Sequence, residues 1–240
     1  MEFLMQCGIS VLLAVALSLM TYKFGLLTKS GCVSAAVIGL AIGVFGSVDW
    51  LLLLIVFAAL GFAATLAGFS KKRKMGVQEG QHGERGAWNI LGVAIPPLII
   101  AVLNFFIPGY EYIFSMAYIA TIAVAAADTA ASEIGVKDPK VWMITTFKRV
   151  EPGVDGGVSV RGTLISLVGS VAVSIIGVLV VFHTLDVYVL VPSLCGFLGC
   201  LLDSVIGATA ETWGYVSKYG NNCVTGMAGG ILAAVILLFI

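Results

Sequence analysis

Residues 112–131 read Y-I-F-S-M-A-Y-I-A-T-I-A-V-A-A-A-D-T-A-A, an apolar stretch whose one charge, Asp128, stands near its far end. A stretch of this length, wound as a helix at about 1.5 Å per residue, covers the ~30 Å of hydrocarbon in a bilayer. It shows no period-two alternation, and backbone groups inside hydrocarbon must pair within their own segment, so it is predicted to be a transmembrane helix. Working outward, runs of the same kind occupy about 3–22, 31–48, 50–69, 90–107, 163–183, 187–207 and 223–240. The expected fold is all-α: a polytopic integral membrane bundle of about eight helices, forming a single transmembrane domain over residues 1–240.

Composition points the same way. Of 240 residues 60% are hydrophobic and only 11% charged, against roughly 25% charged in an average soluble domain. A water-soluble globule is excluded. Thirteen basic and thirteen acidic residues cancel, so no basic field draws nucleic acid, and the partner that bulk composition implies is the bilayer. The five cysteines show no C-x-x-C spacing and lie in or beside apolar runs, as packing residues do. Met1 to Gln6 lacks Lys and Arg, and no small-residue cleavage site follows the first apolar run, so that run is expected to stay in the protein.

The basic residues fall on one side of this path. Lys23 and Lys29 follow span one, Lys71 to Lys74 and Arg85 follow span three, Lys137 to Arg161 follow span five, and Lys218 follows span seven. The N-terminus, the turns at Asp49, Glu111 and Asp186, and the C-terminus carry none. The positive-inside rule makes the basic side cytoplasmic and puts both termini outside, as expected for a protein of the cell membrane. The long connections, 70–89 and 132–162, share the cytoplasmic side and form the expected active-site face. Gly39-x-x-x-Gly43 and Gly226-x-x-x-Gly230 are small-residue patterns best read as helix packing.

Two acids stand at the cytoplasmic ends of spans: Asp128 in A-A-A-D-T-A-A-S-E-I-G, residues 125–135, and Asp203 in C-L-L-D-S-V-I-G-A-T-A-E, residues 200–211. A carboxylate at membrane depth costs about 2.5–3.5 kcal/mol at a helix centre and less near the interface, so its default meaning is functional. Glu133 lies about 140° round an ideal helix from Asp128 and shares a ligand with it only if the helix ends or bends near Ser132. Asp128, Glu133 and Asp203 are the expected metal ligands, and carboxylates with few His or Cys partners suit Mg²⁺ bound together with substrate phosphates. Helix capping, or pairing with a basic loop residue, is the competing structural explanation for each.

The loop T-T-F-K-R-V-E-P-G-V-D-G-G-V-S-V-R-G-T, residues 145–163, is the second constellation. Gly153, Gly156, Gly157 and Gly162 let backbone N–H groups converge on an anion where span six begins, with Ser159 and Thr163 beside them. Lys148, Arg149 and Arg161 supply charge. The Walker pattern fails, because Thr163 stands where lysine belongs, and an ordinary flexible connector has the same composition. Asp155 joins the metal set or caps a turn. Arg85 and Asn89, at the mouth of span four, cap the helix or turn inward to bind. His82 and His183 lack the partners of a metal site or a triad.

Five motifs, T-K-S-G-C-V-S-A-A-V-I-G (28–39), E-R-G-A-W-N (84–89), D-T-A-A-S-E-I-G (128–135), I-T-T-F-K-R-V-E-P-G-V-D-G-G-V-S-V-R-G-T (144–163) and D-S-V-I-G-A-T (203–209), cover most of the chain in order. In these the chain resembles an integral-membrane family that includes transmembrane protein 19 and the plant phytyl-phosphate kinase, with a distant likeness to dolichol kinase and phosphatidate cytidylyltransferase. The resemblance implies a CTP-dependent isoprenyl-phosphate kinase that converts a lipid such as phytyl or geranylgeranyl phosphate to its diphosphate. On this expectation Asp128, Glu133, Asp203 and Lys148 carry catalysis, with Mg²⁺ on the three acids. Arg85, Asn89, Lys148, Arg149, Gly156, Gly157, Ser159, Arg161, Gly162 and Thr163 bind CTP. A cytidylyltransferase forming a CDP-lipid, an isoprenol kinase and a membrane transporter are the alternatives, and the oligomeric state stays open.

Overall fold

The computed structural model describes residues 2–76, 80 and 82–240. Met1, and Val77, Gln78, Glu79 and Gln81 of the first long loop, lie outside the described residues. The chain forms α1 (Glu2–Lys23), α2 (Lys29–Phe45), α3 (Val48–Met75), α4 (Ala87–Phe106), α5 (Glu111–Ile134), α6 (Val160–Phe182), α7 (Leu190–Ile206) and α8 (Lys218–Leu238). Each of the eight expected spans is therefore a helix. Seven segments are long and apolar enough to cross a membrane, α7 counting together with its flanking turns as Val187–Glu211, whereas α2, at 17 residues, is shorter.

Several starts are fixed by hydroxyl caps. Thr28, Ser47, Ser159 and Ser217 sit in extended backbone and accept from the N–H groups of Gly31, Trp50, Gly162 and Gly220. Hydropathy marks where the apolar residues stop, but a helix can run on into water, so the ends differ from expectation. α3 continues through Lys74 to a left-handed Gly76, α5 continues to Ile134, α6 begins at Val160 and α8 at Lys218. The first basic cluster is thus a helix end rather than a loop.

α5 is the hub. Its residues Ser115 to Val124 are all buried, because α3, α4, α6, α7 and α8 all pack on it. The neighbouring pairs α2–α3, α3–α6, α6–α7, α7–α8, α8–α4 and α4–α2 close a ring around it, with α1 outside against α2. Glycines allow the close approaches. A Cβ on Gly230 would stand 2.8 Å from both Ile100 Cδ1 and Thr121 Cγ2, and one on Gly226 would stand 3.1 Å from Pro96 Cγ, so the second small-residue pattern seats α8 on α4 and α5. Gly39 and Gly43 likewise meet Leu51 and Ser10.

The two ends of the bundle are distinct. At one, Trp50 stacks on Tyr118 at 4.3 Å, Tyr112 donates to Asp186, and His183 stands 3.9 Å from Asp49. The opposite, inner end gathers the connections that carry the Lys and Arg residues. There the α1–α2 turn pairs with the segment before α4 through Thr28 N to Arg85 O and Arg85 N to Leu26 O. Between α5 and α6 the chain is not simply a loop. Strands β1 (Val141–Met143), β2 (Arg149–Val150) and β3 (Gly157–Val158) form a small antiparallel sheet in the order β2-β1-β3.

Candidate active site

The inner ends of α3 to α8, together with residues 153–159, surround a cavity of about 260 Å³. Gly135 and Gly162 hold its frame together: a Cβ on Gly135 would lie 2.8 Å from Gly162 Cα, so the ends of α5 and α6 meet backbone to backbone. Gly156 has φ +75° and docks on the chain after α7, where an added Cβ would lie 2.6 Å from both the Cα and the N of Ala208. Only glycine meets both conditions.

The segment receiving it, Gly207–Glu211, is a π-turn, the kind of irregular turn frequent at functional sites. Glu211 lies roughly 80° round an ideal helix from Asp203; the wider turn takes extra residues and rotates it back towards the same side. Asn221 fixes the result. Its Nδ2 donates to the Asp203 carbonyl and to Glu211 Oε2, both at 3.1 Å. Thr225 Oγ1 donates to Asp203 Oδ1 at 3.4 Å. The carboxylates of Asp128, Asp203 and Glu211 line one wall and are close enough to repel one another, with Lys218 near.

Glu133 also lines the cavity, but on the other side. The bend that would have swung it towards Asp128 is absent, since α5 stays helical through Ile134. Its carboxylate faces α3 instead, accepting from Thr65 Oγ1 at 2.9 Å and lying 3.1 Å from Lys72 Nζ. The expected grouping of Asp128, Glu133 and Asp203 is corrected accordingly. Among the described residues no three acidic, His or Cys side chains converge as a metal cage.

Arg85, Asn89, Gly156, Gly157, Ser159, Gly162 and Thr163 line the cavity. Some also have structural duties: Asn89 Oδ1 accepts from Gly86 N, and Ser159 Oγ from Gly162 N. Lys148, Arg149 and Arg161 are exposed and do not line it. The sheet accounts for the first two: β1 and β3 border the cavity through Val141, Gly157 and Val158, whereas β2 is one strand further out, ~4.8 Å, with Lys148 just before it. Arg149 lies over Trp142 at 5.3 Å. Arg161 falls in the first turn of α6, on a side turned to solvent.

Glu211, Lys218 and Thr225, to which sequence reasoning assigned no site role, line the cavity, and so does Lys72, whose basic run suits an anionic head group or nucleotide but reads first as topology-setting charge. Glu211 had one legible signal, an acid ending the apolar motif 200–211. Lys72 was hidden inside a basic run that topology already explained.

The chain is 31% identical to membrane protein MJ0933 of Methanocaldococcus jannaschii over 237 residues, 98% of this chain and 96% of that protein. Against protein PGR of Arabidopsis thaliana it is 30% identical over 200 residues, 74% of this chain and 69% of the relative. Against the chloroplastic protein VTE6 of the same plant it is 31% identical over 156 residues, 63% of this chain and 46% of the relative. No solved structure matches the chain. The model of the integral membrane protein family DUF92 matches residues 12–238, and the chain belongs to that family.

Proposed function

We propose that this protein is a membrane kinase that transfers the terminal phosphoryl group of a nucleoside triphosphate, CTP in the first instance, to an isoprenyl monophosphate. The observation that carries the proposal is the polarity of the cavity. Asp128, Asp203 and Glu211 line one wall, Lys72 and Arg85 line another, and the glycine segment 153–157 closes the frame between them. The motif resemblance to the plant phytyl-phosphate kinase and the identity shared with VTE6 support a prenyl-phosphate kinase of the membrane.

The acid wall fits Mg²⁺ held through one or two carboxylates, several waters and substrate phosphates rather than a protein cage. Asp128 and Asp203, with Glu211 beside them, would hold it, and the ion would neutralise phosphate charge during transfer. The glycine-segment amides and the start of α6 suit the nucleotide's phosphates. The bond from the γ-phosphorus to the β-bridging oxygen breaks as a bond to an acceptor phosphate oxygen forms, and CDP leaves. Donor and acceptor phosphates are already ionised at neutral pH, so charge balances with no proton moved and no general base is required. The chain's residues position the groups and screen charge. By the positive-inside rule the cavity opens to the cytoplasm of the cell, where soluble nucleotide arrives. Towards the other end, Tyr118 is fully buried and donates to the Trp50 carbonyl at 2.6 Å, a seal that disfavours a transport path.

The test is incubation of purified protein with labelled nucleoside triphosphates, prenyl monophosphates and prenols. CDP and a prenyl diphosphate are the expected products. Pyrophosphate release would identify a cytidylyltransferase, and phosphorylation of the prenol alone an isoprenol kinase. Asp128→Asn is expected to abolish turnover with folding intact, and normal turnover in that variant would refute the assignment.

A further inference from the structure

Lys72 Nζ and Glu133 form a buried ion pair, with the two residues 8% and 2% exposed. Such a pair adds little net stability, because desolvating two charges offsets their attraction and an apolar pair of similar volume does as well. Packing alone therefore leaves the pair unexplained. Both residues line the cavity, and so does Arg85, whose Nη2 donates to Thr65 Oγ1 at 3.3 Å, the same hydroxyl that donates to Glu133. Thr65 thus ties the two cations and the acid into one network on the α3–α4 wall.

A second hollow, of about 320 Å³, lies beyond Thr65. Phe24, Leu26, Phe62 and Leu66 line it together with residues 82–84. The Arg85 guanidinium sits over the Phe62 ring at 5.6 Å, so this arginine stands between the polar cavity and a hollow whose walls combine these apolar side chains with Thr65, His82 and Glu84. Phe24 and Leu66 are 67% and 60% exposed at its edge, where a bilayer would meet them. A phosphate held by Arg85 has space on one side for phosphoryl transfer and on the other for an apolar chain.

We infer that Lys72 and Arg85 form the subsite for the acceptor's phosphate monoester, that its lipid chain lies against Phe62 and Leu66, and that Glu133 is a positioning residue for Lys72. The identity of the ligand rests on the kinase proposal; the anion subsite rests on the network itself. The glycine segment lies on the opposite, α6–α7 side, which separates donor from acceptor as in-line transfer requires. Lys72 carries three donors, and a phosphate monoester near −2 outbids a single carboxylate for them.

The test measures binding of geranyl phosphate and of Mg²⁺–CTP to the detergent-purified full chain by calorimetry. Lys72→Met alone leaves Glu133 as an uncompensated buried charge and can unfold the protein, so the double variant Lys72→Met/Glu133→Gln is the main probe. It is expected to weaken geranyl phosphate at least about tenfold and CTP by less than about threefold. Glu133→Gln alone is expected to leave the Mg²⁺ dependence of CTP binding unchanged, whereas Asp203→Asn shifts it. Leu66→Trp is expected to weaken geranyl phosphate but not inorganic phosphate. Unchanged geranyl phosphate binding in the double variant overturns the subsite. A Mg²⁺ requirement raised about tenfold by Glu133→Gln makes that residue a metal ligand and overturns its positioning role. These are binding readouts, so absent phosphoryl transfer in the unaltered protein would sink the kinase proposal while leaving the subsite standing.

Discussion

Gly156→Ala isolates the contribution of the glycine segment. Alanine at φ +75° costs about 1–2 kcal/mol for the left-handed backbone. Its Cβ would also lie 2.6 Å from the backbone of Ala208, and overpacking of this kind costs ~1–3 kcal/mol. The overlap is with main chain, which cannot rotate away as a side-chain tip can. Together these give about 2–5 kcal/mol against docking of the segment on the π-turn, a factor of ~30 or more in its docked population. The segment lies at the bundle's inner edge, so this loss opens the cavity roof and leaves the helix core closed. The expected result is a large rise in the KM for CTP and a fall in kcat, with the melting temperature in detergent little changed. Gly109→Ala is the control: φ is +92° and no atom lies within 4 Å of an added Cβ, so it carries backbone strain alone at the opposite end and keeps full activity. Unaltered kinetics in Gly156→Ala would refute both the close docking and the segment's role in holding nucleotide.

Gly230→Val is expected to destabilise the bundle by about 1–3 kcal/mol, since its Cβ meets Ile100 and Thr121 at once; denaturant unfolding in detergent measures this. Asn221→Ala removes the donors to Asp203 and Glu211, costing about 1–3 kcal/mol and freeing Glu211 from the acid wall, with a raised Mg²⁺ requirement as the readout. A cysteine at position 148 in a background lacking the native cysteines is expected to label with an impermeant maleimide only from the cytoplasmic face, and one at position 109 only from outside; the reverse pattern would invert the assigned orientation.

The membrane-crossing architecture was legible because hydrocarbon imposes it residue by residue: long apolar runs must be helices, and one-sided Lys and Arg mark an end. The positions of Asp128 and Asp203, the glycine segment and the small-residue contacts were legible on the same grounds. Facing was not. Whether Glu133 or Glu211 joins Asp128 depends on helix phase: α5 runs on past Ser132 and turns Glu133 to Lys72, while a π-turn rotates Glu211 to Asp203. Hydropathy says nothing about either event. Lys148 and Arg149 looked suited to phosphate until a three-stranded sheet set them at its outer strand, off the cavity, and Lys72 looked chiefly like topology signal until packing buried it against Glu133. The sequence by itself determined which segments cross the bilayer and at which end the charges gather, since those are one-dimensional costs of transfer from water. Which charged groups face one another was decided only by the tertiary structure, because that depends on how helices terminate, rotate and pack.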